Sequence, residues 1–394
     1  MSRSRIKIAH LGTFDVDNYG DLLFPHIAEF RLPNYEWKHI SPTACKTVFE
    51  DGKEIISFND AKKNNYDAVI TGGGNIINLK PNHNTVYKGI RGFDYANLWV
   101  GAAKLAADQK IPYILNSPGI SKSFEGRLHK KIAAATFCNA SYVAFREQYS
   151  KKMAVEVLNY ENKERNDYIV MPDTAFDIDK MWPIDYSQKS NCIVVNLNPR
   201  YHEPIKETVF YLDKISEKLK MPIKFVVIGA CHGDYDFTLK VSKELKSENH
   251  IFNSTNLKES AHLIGNAKYF IGSSMHAFIT ALSYQVPALL VLNERPMHKF
   301  IGLLEIGELS SSVICKSFED SFNKLGAPAL LSKDVKISIQ KKLDKHWNAI
   351  DKVVNSKKLS ATNIYINNYQ KILTGDSKFR NLLVRVKKLF SEIV

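Results

Sequence analysis

Cysteine is scarce in this chain. The five residues, Cys45, Cys138, Cys192, Cys231 and Cys315, are scattered over 394 positions. None is paired as CxxC, so neither a zinc site nor a disulfide framework is indicated. No apolar run approaches the roughly 20 residues of a membrane span. No secretory h-region precedes the strand-like segment at residues 6–11, so a cytoplasmic location is expected. Nucleotide fingerprints are missing as well. Gly72-Gly73-Gly74 is not a G-x-G-x-x-G motif and no P-loop lysine follows it. Neither a metal-ligand cluster of convincing spacing nor an internal repeat is found, so no metal is expected.

What is there is a globular composition, 44% apolar, with a net charge of +13. The length suggests two domains. Residues 330–394 hold 14 Lys/Arg against 5 Asp/Glu, so most of the excess charge sits in the tail. Such a bias fits an anionic surface or a solvated helical face. Basic residues interleaved with stacking aromatics along a groove are lacking, so nucleic acid is not expected as a partner. Near the end, Phe379, Leu382, Leu383, Val386, Leu389, Phe390 and Ile393 recur at helical spacing, with Lys378, Arg380, Arg385, Lys387 and Lys388 around them. This basic amphipathic helix reads as a contact with the inner face of the plasma membrane, as a segment packed back on the first domain, or as a dimer contact.

Short apolar strands alternate with helical patterns in both halves, which implies parallel βαβ units. The polar stretch at residues 177–191 separates them. The expected fold class is α/β: two doubly wound, Rossmann-like domains facing a central cleft in the manner of GT-B enzymes. The first, the expected acceptor side, covers residues 1–180. The second, the expected donor side, covers 190–330, and a helical C-terminal extension occupies 331–394.

Ligands of doubly wound folds sit at the carboxyl ends of the strands, which selects the candidate site. Phe270-Ile271-Gly272-Ser273-Ser274-Met275-His276 reads as a strand, a small-residue turn and a helix opening on a histidine. A helix N-terminus there favours anions, and His276 is the candidate acid/base group; a partly buried histidine that merely caps the helix is the plain alternative. Asn18, Gly20 and Asp21 follow the first strand, Asp21 serving either as helix cap or as a substrate contact. Gly72, Gly73, Gly74 and Asn75 offer close backbone approach. Arg146 ends a strand beside Glu147, as an anion clamp or a surface ion pair. Arg200 follows a buried strand and is the expected anion contact, whereas His232 and Asp234 read as loop decoration.

The pieces Asn18-Tyr19-Gly20-Asp21, Thr71-Gly72-Gly73-Gly74, Ser117-Pro118-Gly119, Ala144-Phe145-Arg146-Glu147, Pro172-Asp173 and Ser273-Ser274-Met275-His276 with Val286-Pro287 share their order and spacing with a known family. Over residues 7–292 the chain resembles the polysaccharide pyruvyl transferases. That resemblance implies a GT-B-like enzyme moving a pyruvyl group from phosphoenolpyruvate to a sugar of a capsule, exopolysaccharide or lipopolysaccharide repeat unit, usually as a cyclic ketal. Phosphoenolpyruvate would be the donor substrate, no separate cofactor would be needed, and a lipid-linked oligosaccharide is a fitting acceptor. Many members carry arginine two residues before the histidine; here Ser274 stands there. A nucleotide-sugar glycosyltransferase and a fold relative without activity are the competing readings.

Overall fold

The computed structural model describes residues 5–79, 94–201, 204–293, 298–356 and 359–375. Its strands are mostly short apolar runs, as a sheet covered by helices on both faces requires. In chain order, β1 is Lys7–Leu11, β2 Glu36–Ser41, β3 Ile55–Ser57, β4 Ala68–Gly72, β5 Tyr113–Asn116, β6 Tyr142–Phe145 and β7 Ile169–Val170. They form one seven-stranded sheet in the order β3-β2-β1-β4-β5-β6-β7. The second sheet takes β8 Ile193–Asn196, β9 Ile223–Val226, β10 Asn249–Phe252, β11 Tyr269–Gly272, β12 Ala288–Val291 and β13 Ile314–Cys315. Its order is β10-β9-β8-β11-β12-β13. The strand pairings are parallel in both sheets.

Both orders reverse beside the first strand of their sheet, between β1 and β4 and between β8 and β11. Each reversal opens a crevice at the carboxyl ends of those strands. This is the doubly wound, GT-B-like layout expected from the sequence. Several strands at or next to a sheet edge were not foreseen. β2 (EWKHIS) and β10 (NHIF) carry charged or polar residues and are only partly buried, and β3 has three residues, so none gives a clean apolar run.

Six helices matter for the site: α1 (Tyr19–Arg31), α2 (Asp234–Glu244), α3 (Leu257–Gly265), α4 (Met275–Ser283), α5 (His298–Gly307) and α6 (Lys333–Asn355). α1 comes from the first domain and α3 and α4 from the second, yet Tyr19, Leu23, Ile27, Ala261, Ile264, Phe278 and Leu282 belong to one continuous buried cluster. The two crevices are therefore joined across an apolar seam, an interface type that restrains domain motion. Polar bonds cross it too. Tyr19 Oη and Thr280 Oγ1 lie 3.0 Å apart. Asp51 accepts from the first amides of α3, Leu257 N at 2.8 Å and Lys258 N at 3.1 Å.

α6 begins the helical C-terminal region and returns across both domains. Ile339, Leu343, Trp347 and Ile350 are buried in that same cluster. Its His346 ring lies between Tyr142 Oη at 2.7 Å and Asn116 Oδ1 at 2.6 Å. Arg31 of α1 donates to Asp177 Oδ2 and Asp344 Oδ1, each at 2.7 Å, and Trp347 Nε1 donates to the same Asp177 oxygen at 3.1 Å. The residues after 375, with the basic amphipathic stripe, and residues 80–93 lie outside the described residues. Among the described residues no helix is long and apolar enough to cross a membrane.

Candidate functional site

A cleft of about 300 Å³ lies where the two crevices meet. The loop after β1 contributes Thr13, Asn18 and Asp21, the loop after β4 Gly74 and Asn75, and the end of β6 Arg146. From the second domain come Asn198 and Arg200 after β8, Gly229, His232 and Asp234 after β9, Ser273 to His276 after β11, and Lys299 of α5. Of the residues selected from sequence, Asn18, Asp21, Gly74, Asn75, Arg146, Arg200, Ser273, Ser274 and His276 thus share one cavity.

Gly20, Gly72 and Gly73 do not line it. Gly20 backs onto the His276 ring, which a Cβ there would overlap. Gly73 has φ +77° and lies against the Phe24 ring. Glycine at both positions is explained by close packing around α1, so within the triplet close approach to the cavity is left to Gly74. Asp21 is not the helix cap: Asn18 is, its side chain accepting from Gly20 N at 3.2 Å. Asp21 is left facing the cavity. Burial pushes its carboxyl up, against the opposing pull of His276, Thr13, Lys299 and Arg146.

His276 lies in the first turn of α4, whose N-cap is Ser274, the Ser274 hydroxyl accepting from Ala277 N. The ring is fixed by Gly20 on one side and by the Phe24 ring, edge to face at 5.5 Å between centroids. Its Nε2 stands 3.6 Å from Asp173 Oδ2 and has no hydrogen-bond partner. Asp173 is buried. Burial alone would raise its carboxyl, but His276 and Arg146 beside it outweigh that and hold it well below the usual carboxylate range. This carboxylate–imidazole pair joins the end of the first domain to the second.

Arg146 is not a surface ion pair. It is 4% exposed. Its Nε donates to Glu147 Oε2 and its Nη1 to Asp173 Oδ2, both at 3.1 Å. Its buried Nη2 has no partner, and neither has Asn75 Oδ1 nearby. Gly119 keeps both within reach, since a Cβ there would crowd each of them. Arg200 is different. It is exposed at the mouth of the cleft, with Nη2 3.1 Å from His232 Nδ1. Burial, then Arg200 and Lys299, push His232 down to about 4, so its neutral Nδ1 accepts that bond.

Two functional candidates escaped the sequence reading. Lys299 is half-buried and faces the cleft. Burial and the charges of Arg146 and Arg200 push its ammonium down to about 8, with Asp21 and Glu147 opposing. It sits in the helix after β12 with no motif around it, and only the rule that helices begin at the carboxyl ends of strands pointed there. Asp234 is 2% exposed at the start of α2. Burial pushes its carboxyl up to about 7, partly offset by Asn196, Arg200 and the Gly229 amide. Neither it nor His232 is loop decoration; both form the cavity wall. Glu259, another conceivable ligand contact, instead accepts from Ser254 Oγ at 2.7 Å.

Chemically the cleft offers three cations, Arg146, Arg200 and Lys299, with a helix N-terminus at Ser274, which together suit an anion. It also offers an imidazole backed by a carboxylate and two carboxyls raised by burial. Among the described residues no group of three His, Cys, Asp or Glu side chains is placed to hold a metal ion.

Residues 15–295 match the family model for polysaccharide pyruvyl transferase. The chain matches no curated protein by sequence. Solved structures of similar shape include UDP-GlcNAc 2-epimerase from Neisseria meningitidis bound to UDP-GlcNAc, with TM-score 0.50 and 11% identity over 89% of this chain and 99% of that one. The Staphylococcus aureus MnaA–UDP co-structure gives 0.54 and 12%, covering 91% of this chain and 100% of that one. A UDP-N-acetylglucosamine 2-epimerase structure from Listeria monocytogenes, itself named as putative, gives 0.52 and 10%, covering 92% and 100%. At these identities the likeness is one of fold.

Proposed function

The chain belongs to the polysaccharide pyruvyl transferase family, and on that premise we propose that it transfers a pyruvyl group from phosphoenolpyruvate to a sugar of a cell-surface polysaccharide repeat unit, forming a ketal. One observation carries this reading. Arg146, Arg200 and Lys299 reach a single cavity from three separate elements, beside His276 and the N-terminus of α4. Phosphoenolpyruvate carries a carboxylate and a phosphate, and a site for both needs several convergent donors.

The departure at Ser274 fits the same account. A serine two residues before the histidine supplies no charge, and Lys299 brings a cation into the same cavity from α5. Arg146 presents one unpartnered N–H group there while its other two arms are held by carboxylates, so it positions an anion more than it neutralises one. Arg200, at the mouth, holds the outer end of the donor. His276 moves a proton during transfer, its ring held by Asp173, Gly20 and Phe24. The sugar acceptor, free or lipid-linked, enters from the first domain's side.

A thermal-shift series with phosphoenolpyruvate, UDP and UDP-GlcNAc tests this proposal. Phosphoenolpyruvate should raise the melting temperature saturably, since a ligand at a hundred times its Kd stabilises by about 2.7 kcal/mol. Stabilisation by UDP or UDP-GlcNAc alone would make the protein a nucleotide-sugar enzyme. Stabilisation by none of them would point to a relative that has lost its donor site.

A further inference from the structure

We propose that Asp234 is a second catalytic residue of this cavity: the acid that protonates the methylene carbon of the donor, leaving His276 to accept the proton of the attacking sugar hydroxyl. The inference rests on the phosphoenolpyruvate reading of the site.

The geometry sets the two groups on either side of one turn. Asn196, at the end of β8, accepts from Ser274 N at 3.1 Å through Oδ1 and donates to Val226 O at 3.2 Å through Nδ2. The Asn196 side chain also hydrogen-bonds Asp234, as does the Gly229 amide. Asp234 is thereby tied to the turn that launches His276. Its Oδ1 is buried, has no hydrogen-bond partner, and belongs to a side chain lining the cavity. Gly229 leaves room for it, because a Cβ there would lie 2.6 Å from Oδ2.

The cleft separates its carboxyls by their surroundings. Asp173 has His276 and Arg146 beside it and stays ionised. Burial raises the Asp21 carboxyl too, but His276, Lys299 and Arg146 face it and favour its carboxylate. Among the described residues the cation acting on Asp234 is Arg200; Asn196 and the Gly229 amide are its polar neighbours, and Cys231 stands on its own turn. Asp234, with the least opposing charge around it, is raised to about 7 and so carries a proton near neutral pH. Carboxyls of one cleft whose surroundings drive their protonation apart mark the protonated one as the candidate acid. An imidazole beside an ionised carboxylate is suited to accept a proton, because the carboxylate stabilises the imidazolium.

The step balances. The C2–C3 π pair of phosphoenolpyruvate takes the Asp234 proton at C3, which becomes the methyl group. The sugar oxygen bonds to C2, and its proton goes to His276. The C2–O bond to phosphate then breaks, and the departing phosphate takes that proton back from His276. A second sugar hydroxyl bonds to C2, and its proton restores the Asp234 carboxyl.

The test uses full-length protein labelled at aspartate Cγ with carbon-13, followed by NMR from pH 5 to 9, with about these limits chosen to bracket a neutral midpoint. The wild type should show a carboxyl titrating near 7 that disappears in Asp234→Asn, whatever other raised aspartates titrate beside it. That variant should bind phosphoenolpyruvate within about threefold of wild type, yet release phosphate from it about a hundredfold more slowly, the scale of lost general-acid catalysis. Asp234→Glu should shift the midpoint and recover part of the rate, which keeps the result readable if Asp234→Asn does not fold. A near-neutral set of carboxyl signals left unchanged by Asp234→Asn, or an Asp234→Asn protein that turns over normally, overturns the proposal. Failure of the wild type to bind phosphoenolpyruvate would count against the donor reading, while the titration would still judge the acid.

Discussion

The Nε2 of His276, in the second domain, stands 3.6 Å from Oδ2 of Asp173, at the end of the first. The pair exists only when the two domains are seated on each other, so the candidate catalytic ring and the domain interface depend on one contact. Asp173→Asn should therefore lower turnover by about a hundredfold, the range of general acid–base effects, with phosphoenolpyruvate affinity changed far less. Steady-state kinetics beside direct binding separate the two; equal losses in both would assign Asp173 to binding instead.

His276→Ala should cut turnover by about a hundredfold or more in a protein that melts normally. Near-normal turnover in the folded variant would remove His276 from the chemistry.

Gly20→Ala tests the packing behind that ring. The added methyl overlaps the imidazole, while alanine within a helix gains up to about 1 kcal/mol over glycine. The expected outcome is a loss of turnover of tenfold or more, on the order of the cost of misplacing a catalytic group, with little change in melting temperature. A fall in melting temperature with full activity would contradict it.

Lys299 gives a pH signature. Its ammonium titrates near 8 in the free protein, so it is charged below that pH and neutral above it. Phosphoenolpyruvate affinity should accordingly fall as pH rises through 8. Lys299→Arg should flatten this limb because guanidinium keeps its charge, and Lys299→Met should weaken binding about tenfold or more, as expected for a hydrogen bond to a charged group.

The C-terminal helix predicts an acid limit of stability. His346 is buried between Tyr142 and Asn116, and burial, with Arg31, pushes it down to about 3. The unfolded chain takes up its proton near 6.5, the folded one only near 3. Stability from this group is thus complete above about 6.5 and is lost progressively as pH falls toward 3. Melting curves across that window should decline, and His346→Gln should decline less steeply.

Much of this was legible in the sequence for a physical reason. β4, β8 and β11 are buried on both faces, so each is an unbroken apolar run, and the turn after such a strand is where a parallel sheet places its ligand. That logic found His276, Arg146, Arg200 and the loop of Asn18. It did not find β3 and β10, at sheet edges, or β2 next to one, because their sequences are half-polar or very short. It left Asp21 between helix cap and substrate contact, when Asn18 holds the cap of α1, since both are good capping residues three positions apart. Pro172-Asp173 was visible as a motif, but its tie to His276 is a contact between domains, which local pattern does not encode. Asp234 looked like loop polarity because its meaning lies in its burial and in Asn196, and Lys299 because its neighbours in the chain are unremarkable.

The most direct measurement is a calorimetric titration of phosphoenolpyruvate into the wild-type protein and into Arg200→Lys and Lys299→Met. The account predicts saturable binding to the wild type, weakened in both variants, because lysine does not reproduce the arginine fork and methionine removes a charge. Phosphoenolpyruvate that does not bind, or that binds all three proteins alike, would contradict it.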